Sequence, residues 1–335
     1  MNSRVTSQGL LLTVAGFACI GVVGFALPQW QFLVSVALSK GIVALGVALL
    51  LRTGLASFGQ ALTYAVGAYC VGFGMNFYGL NDLLALLIIA TVVSGLVTWV
   101  LGFLLARYRD IFFAMLTLAL SMIMYGTLLN NADLGGSDGF NVKAPTIGYG
   151  NTRFPIAGTS LFVIVLIAAL MCAVAVGLYL RSTPGRLGPA IKDNEIRVEY
   201  LGTSARSNIH LAYSIAGALA GLGGALSAFN IGHIDPDMAF WTTSGEFVFI
   251  AVLSGTRFAF APFLGALLLE IARAAAYRYA PNAWQIVMGI IMLSIIAFLP
   301  GGLSSFRFAR RSRSTGSHGC TPKQSTAPRS KDIAV

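Results

Sequence analysis

The chain has 335 residues, of which 56% are hydrophobic and only 10% charged, with a mean hydropathy of +0.79. Soluble domains carry about 25% charged residues, so composition excludes a soluble globular protein. The net charge of +10 is not a nucleic-acid signal, because Ser304 to Val335 alone holds seven basic residues and one acid, Asp332.

Apolar runs of about 20 residues, rich in glycine, predict membrane-spanning helices. The roughly 10-residue alternating strands of an outer-membrane barrel do not occur. The fold class read from this pattern is an all-α integral membrane protein, a polytopic bundle of about ten helices. The predicted spans are 10–27, 32–51, 55–78, 83–105, 112–130, 155–180, 208–231, 243–256, 262–280 and 284–300. The first follows Arg4 and has the outline of a signal peptide. Its apolar run from Leu10 to Leu27 is long for that role, and no convincing cleavage site precedes Pro28, so it is read as a span. The third span, with Gly59, Gly67, Gly72 and Gly74, and the short eighth span are candidates for broken or re-entrant helices. Residues 1–303 form the transmembrane domain. Residues 304–335, rich in Ser, Arg and Lys, read as a disordered basic tail.

Charge orients the bundle. With the N-terminus inside, the inner segments hold 17 of the 22 basic residues, and the outer ones hold Lys143 and Arg153. The positive-inside rule therefore places both termini and the 181–207 segment in the cytoplasm. Two polar outer loops remain. Asn131 to Pro155 contains Gly135, Gly136, Ser137, Asp138 and Gly139; Gly232 to Trp241 contains His233, Asp235, Pro236 and Asp237.

The 181–207 segment is the longest polar interruption between the first span and the tail. Pro189 suits the first turn of a helix. From there Ala190, Ile191, Asn194, Val198 and Leu201 recur at helical spacing as one mostly apolar face. Asp193 and Arg197 form an i,i+4 pair, and Gly202 is placed to end the helix. Such a helix lies at the membrane surface or against a partner.

No phosphate loop, zinc-protease motif or nucleophile elbow is present. The cysteines and histidines show no metal-ligand spacing. If the protein's work uses ATP, another chain must bind it. Ionisable residues at membrane depth are Lys40, Glu246, Glu270 and Arg273, which are functional candidates by default. Glu270 and Arg273 read first as a local i,i+3 pair and Lys40 as a snorkelling side chain. Glu246, near a span's outer end, is either functional or simply solvated. Ser57, Gln60, Thr63 and Tyr64 give the third span a polar edge that suits either a cavity lining or hydrogen bonds between packed helices. Gly217 and Gly221 form a small-xxx-small array that predicts close helix packing ahead of a substrate role. An internal repeat linking this array to the glycine-rich third span is a further open reading.

From about Leu45 to Leu303 the chain resembles the permease subunits of bacterial ABC importers for branched-chain amino acids, of the LivM type. The resemblance is carried by Leu55-Ala56-Ser57-Phe58-Gly59-Gln60-Ala61 through Val66-Gly67-Ala68-Tyr69 and by Gly135-Gly136-Ser137-Asp138-Gly139. Gly185-Arg186, Ala190-Ile191-Lys192, Asn194-Glu195 and Gly202 carry it most specifically. Ile234-Asp235-Pro236-Asp237, Glu246 and Pro300-Gly301-Gly302-Leu303 follow in order. The resemblance implies a bacterial inner-membrane importer with a second permease subunit as heterodimer partner, two cytoplasmic ATPase subunits and an external solute-binding protein. ATP and Mg would be used by the ATPase; no cofactor is expected on this chain.

On that basis the helix from Pro189 to Leu201 would seat its apolar face in an ATPase groove, with Gly185, Arg186, Ala190, Ile191, Asn194, Glu195, Val198 and Gly202 as coupling residues. Ser57, Gln60, Thr63, Tyr64, Gly67 and Glu246 would line the solute path. Gly135, Gly136, Ser137, Asp138, Asp235 and Asp237 would receive the binding protein. The sequence departs from the family where Gln60 replaces a usual His and where Arg257 and Ala261 replace glycines. Urea, short amides and aromatic acids are also transported in this family, so the solute is left open. The alternative is an ion-coupled secondary transporter, which needs no coupling segment. A membrane-embedded enzyme would need a polar catalytic cluster at one depth.

Overall fold

A computed structural model describes residues 3–147, 154–156, 158–256 and 258–279, with scattered positions between 281 and 294. The tenth predicted span lies largely outside these residues. Arg153, Arg257, Pro300 to Leu303 and the tail lie wholly outside them.

Eleven helices follow in chain order among the described residues: α1 Ser3–Ala26, α2 Gln31–Arg52, α3 Gln60–Asn76, α4 Leu83–Leu105, α5 Asp110–Asn130, α6 Thr159–Tyr179, α7 Thr183–Asp193, α8 Glu195–Tyr200, α9 Ala205–Ile231, α10 Trp241–Ser254 and α11 Ala261–Tyr279. Four two-residue strands lie in the connections: β1 Phe140–Asn141, β2 Thr146–Ile147, β3 Phe154–Pro155 and β4 His233–Ile234. Helices α2 (with the 3-10 turn before it), α4, α5, α6 and α9 are each long and apolar enough to cross a membrane. The helix α3 has 17 residues and α10 has 14. At about 1.5 Å per residue these reach roughly 26 and 21 Å, short of a hydrocarbon core of about 30 Å. The expected weak spans are therefore the short ones. In α3 the reason is local: residues 53–59 are irregular, and Gly59 stands at the N-cap, so the helix starts five residues after the predicted boundary at 55.

The helix α9 is the axis of the bundle, packed on α2, α3 and α4. Its small residues permit this. A Cβ on Gly67 of α3 would run into the backbone of Gly221, and a Cβ on Gly221 would strike the Ser94 side chain of α4. The predicted glycine array is thus a backbone-to-backbone crossing. Around it lies a continuous buried core that includes Ile42, Val47, Ala68, Leu86, Ala220, Phe247 and Phe263.

The connections sort to two ends, in agreement with the charge pattern. At the basic end, Gly188 of α7 approaches Thr53, Arg109 pairs with Glu195, and Arg52 donates to the Thr256 carbonyl at 3.3 Å. At the other end β1 pairs antiparallel with β4, matching Phe140 with Ile234 and Asn141 with His233. There β2 pairs with β3, and the Thr146 N–H donates to the Asn81 carbonyl at 2.8 Å.

The polar segment departs from its expected form. It is two helices, with Pro184 in the first turn of α7 and Pro189 inside that helix. Ser182-Thr183-Pro184 is itself a good start signal, one turn earlier than the one read at Pro189. The chain then turns at Asn194, whose Oδ1 accepts from the Arg197 N–H at 2.9 Å and caps α8. Asp193 and Arg197 consequently sit on different helices, and the expected i,i+4 pair is replaced by this cap. Gly202 does terminate the segment, with φ +82°.

Candidate transport site and docking segment

The apolar face of the segment points inward. Ile191 and Val198 are 5% and 3% exposed, in a cluster with Leu50, Leu55, Phe113 and Tyr213. Of the expected face, Ile191 and Val198 are thus taken up by the bundle itself, while Ala190, Asn194 and Leu201 remain exposed. Gly185 packs on the backbone of Tyr179 and Leu180, which also leaves no surface there. What remains outside is the opposite side of α8 and its end, where Ile196, Tyr200 and Leu201 are 66%, 88% and 79% exposed. Arg186, Ala190, Asn194 and Gly202 are exposed as well.

A clamp holds α8 in place. Arg109 Nε and Nη2 donate to the two carboxylate oxygens of Glu195 at 2.8 and 2.6 Å, a bidentate pair. Arg109 Nη1 also donates to the carbonyls of Ala106 and Tyr108. Next to it Asp110 has φ +50°, the sole non-glycine positive φ among the described residues. Aspartate is one of the few side chains that tolerate this region. The hydrogen bonds from Arg109 hold the Glu195 carboxyl below its ordinary value.

The ionisable residues at membrane depth form one network. Lys40 Nζ lies 2.9 Å from Glu246 Oε1 and 2.6 Å from Glu270 Oε1. Arg273 lies 2.5 Å from Glu246 Oε2 and 3.6 Å from Glu270 Oε1. Three helices, α2, α10 and α11, are joined in this way. Lys40 does not snorkel; it is 8% exposed near the middle of α2. The i,i+3 pair exists, but Arg273 makes its shorter contact with Glu246. Two cations and two carboxylates cancel, which is how four charges are tolerated away from water. Glu246 and Arg273 form the more accessible edge, with side chains 16% and 23% exposed. Arg273 Nε is buried without a hydrogen-bond partner among the described residues.

The polar start of α3 is engaged in packing. Ser57, Gln60, Thr63 and Tyr64 are each at most 3% exposed. The Gly59 N–H donates to Ser57 Oγ, and the Ala61 N–H donates to Ser244 Oγ of α10 at 2.9 Å. Thr63 Oγ1 donates to the Gln60 carbonyl, and the Tyr64 ring meets Phe247 edge-on at 5.1 Å. Gly67 is the crossing point with α9. Ser57 is thus bound to Gly59, Thr63 to Gln60, and Tyr64 packs on Phe247, the residue next to Glu246.

At the other end, strand pairing brings the two outer loops together. Gly139, with φ +64°, passes so close to the Ile234 carbonyl that no Cβ fits. Ser137, Asp138 and Asp237 are exposed, and Gly135 and Gly136 adopt positive φ. Asp235 is half-buried and accepts from the Met238 N–H at 3.2 Å. Burial, then the neighbouring Asp237, raises its carboxyl.

The structure is a multi-helix membrane bundle with short helices beside long ones, a buried neutral charge network and a surface segment clamped to one end, an architecture compatible with a membrane transport component. A family profile described as "Branched-chain amino acid transport system / permease component" matches residues 31–296. The chain belongs to this family. It is 28% identical, over 305 aligned residues covering 82% of this chain and 71% of the relative, to the high-affinity branched-chain amino acid transport system permease protein LivM of Escherichia coli (strain K12). To the LivM protein of Salmonella typhimurium (strain LT2) it is 27% identical over the same shares. No solved structure matches.

Proposed function

We propose that this chain is a membrane-spanning subunit of an ATP-driven importer in the bacterial inner membrane, with its basic end cytoplasmic. Its cargo is a branched-chain amino acid or a related small polar solute. A second permease subunit completes the path, two separate ATPase subunits use ATP and Mg, and an external protein delivers the solute.

The observation that carries this reading is the surface of α8. Ile196, Tyr200 and Leu201 are large, exposed apolar side chains at the basic end, on a segment held by a bidentate ion pair. Exposed apolar groups on a clamped element are what a docking partner buries. The sequence has no phosphate loop, which suits an ATPase on another chain. The strand-paired outer loops, with exposed Asp138 and Asp237, are the proposed receiving surface for the solute-binding protein. The proposed solute path runs past the accessible edge formed by Glu246 and Arg273.

The test is co-purification of the tagged protein from its native membrane, with partners identified by mass. Recovery of an ATPase and a second permease supports the reading. A chain that purifies alone and accumulates solute in vesicles without ATP, driven by an ion gradient, overturns it in favour of a secondary carrier.

A further inference from the structure

A cavity of about 340 Å³ opens at the basic end between the last turn of α4 and the first turn of α9. It is separate from both the charge network and the α8 surface. Its lining includes Gly102, Phe103, Ser204, Arg206, Ser207 and His210.

The polar groups there converge. Arg206 Nη2 donates to the Phe103 carbonyl at 3.1 Å, and no carboxylate among the described residues pairs with this arginine. His210 is positioned by its Nε2, which donates to the Trp99 carbonyl at 2.8 Å and so carries the hydrogen. The ring lies against Phe103, with centroids 4.6 Å apart. Gly102 makes room for it, since a Cβ there would sit 2.5 Å from His210 Cδ2. Ser204 and Ser207 add hydroxyl groups, and the positive end of the 27-residue α9 faces the same region.

The flank of the cavity is apolar and outward-facing. On α4, Leu96, Trp99, Val100 and Phe103 are 61%, 50%, 55% and 52% exposed. A cationic, hydroxyl-lined hollow at a helix-bundle end, continuous with a lipid-facing aliphatic and aromatic strip, has the chemistry of an amphiphile with an anionic head.

We propose that this cavity binds the phosphate of an anionic phospholipid, with the acyl chains lying along α4. Arg206 supplies the charge, Ser204 and Ser207 donate hydrogen bonds, and His210 with Phe103 forms the wall. Phosphate is the shared chemistry of a lipid headgroup and a free phosphate ion; the apolar strip favours the lipid.

The test uses the full-length protein in detergent, with apparent dissociation constants for phosphatidylglycerol, phosphatidylcholine and inorganic phosphate read by native mass spectrometry and thermal unfolding. Phosphatidylglycerol should bind more tightly than phosphatidylcholine and raise the unfolding temperature. Arg206→Gln should weaken phosphatidylglycerol by about fivefold or more, the worth of one basic residue at an anionic surface. Arg206→Lys should retain part of the affinity, and Lys143→Gln, in the loop at the opposite end, should change nothing. Arg206 is exposed, so an unchanged unfolding temperature without lipid checks the fold of the variants. Equal binding of the two lipids, or no effect of Arg206→Gln, overturns the proposal. Full stabilisation by inorganic phosphate alone overturns the lipid as the ligand.

Discussion

Replacing Lys40 by methionine tests whether the charge network is a single unit. The substitution keeps length and volume and removes one positive charge, leaving Glu246 and Glu270 with Arg273 alone. Lys40 is 8% exposed and touches both carboxylates, at 2.9 and 2.6 Å. Breaking a buried ion pair by removing one partner costs about 3–5 kcal/mol. The protein can relieve the excess charge by protonating one glutamate, which for an ordinary carboxyl at pH 7 costs about 3.7 kcal/mol. The loss should therefore be about 3–4 kcal/mol. Thermal unfolding of the purified protein in detergent should shift down by on the order of 5 °C or more. The double variant Lys40→Met, Glu270→Gln restores neutrality and should recover most of the shift. A single variant that unfolds within a degree of the wild type, or a double variant no better than the single, would refute the network argument.

Glu195→Lys places a cation against Arg109 and releases α8. The protein should stay in the membrane with near-normal stability, since this pair is partly open to solvent and surface pairs contribute about 1 kcal/mol or less, while solute uptake in cells falls at least tenfold. The same clamp has a pH signature. The Glu195 carboxyl sits below its ordinary value when folded, so its contribution is present above the unfolded glutamate range and disappears as pH falls through the folded value. Transport in proteoliposomes should lose its dependence on Arg109 under acid on the ATPase side. Ile196→Ser with Leu201→Ser should remove the ATPase from co-purified material without lowering the unfolding temperature; undiminished recovery would argue against that docking surface. Gly67→Val drives side-chain carbons into the Gly221 backbone and should destabilise by about 1–3 kcal/mol, read as a lower unfolding temperature and lower membrane yield.

Long apolar runs announced α4, α5, α6 and α9 within a few residues because each run is near the length of a span. The start of α3 was less legible, since Leu55 to Gly59 is apolar and small in composition yet irregular in backbone. The amphipathic pattern in 190–201 was real, but periodicity reports that a face is buried and not by what. Ile191 and Val198 bury theirs in the bundle. Pro189 misled because a proline in the first turn and one a turn later look alike without the register set by Ser182 and Pro184. The charge network joins Lys40 to partners 206 and 230 residues away. Only the zero sum of the four charges at membrane depth hinted at it, and the adjacent Glu270 and Arg273 offered a nearer explanation.

The crossing at Gly67 and Gly221 has a mechanical consequence. Where two backbones touch directly, no rotamers lie between them to be exchanged, so the contact cannot slide by small repacking steps. Helices α3, α4 and α9 then form a stiff chassis, together with α2 that lies along it. On the transporter reading proposed above, movement falls to the parts hung on this chassis, among them α5, the shortened α10 and its partner α11.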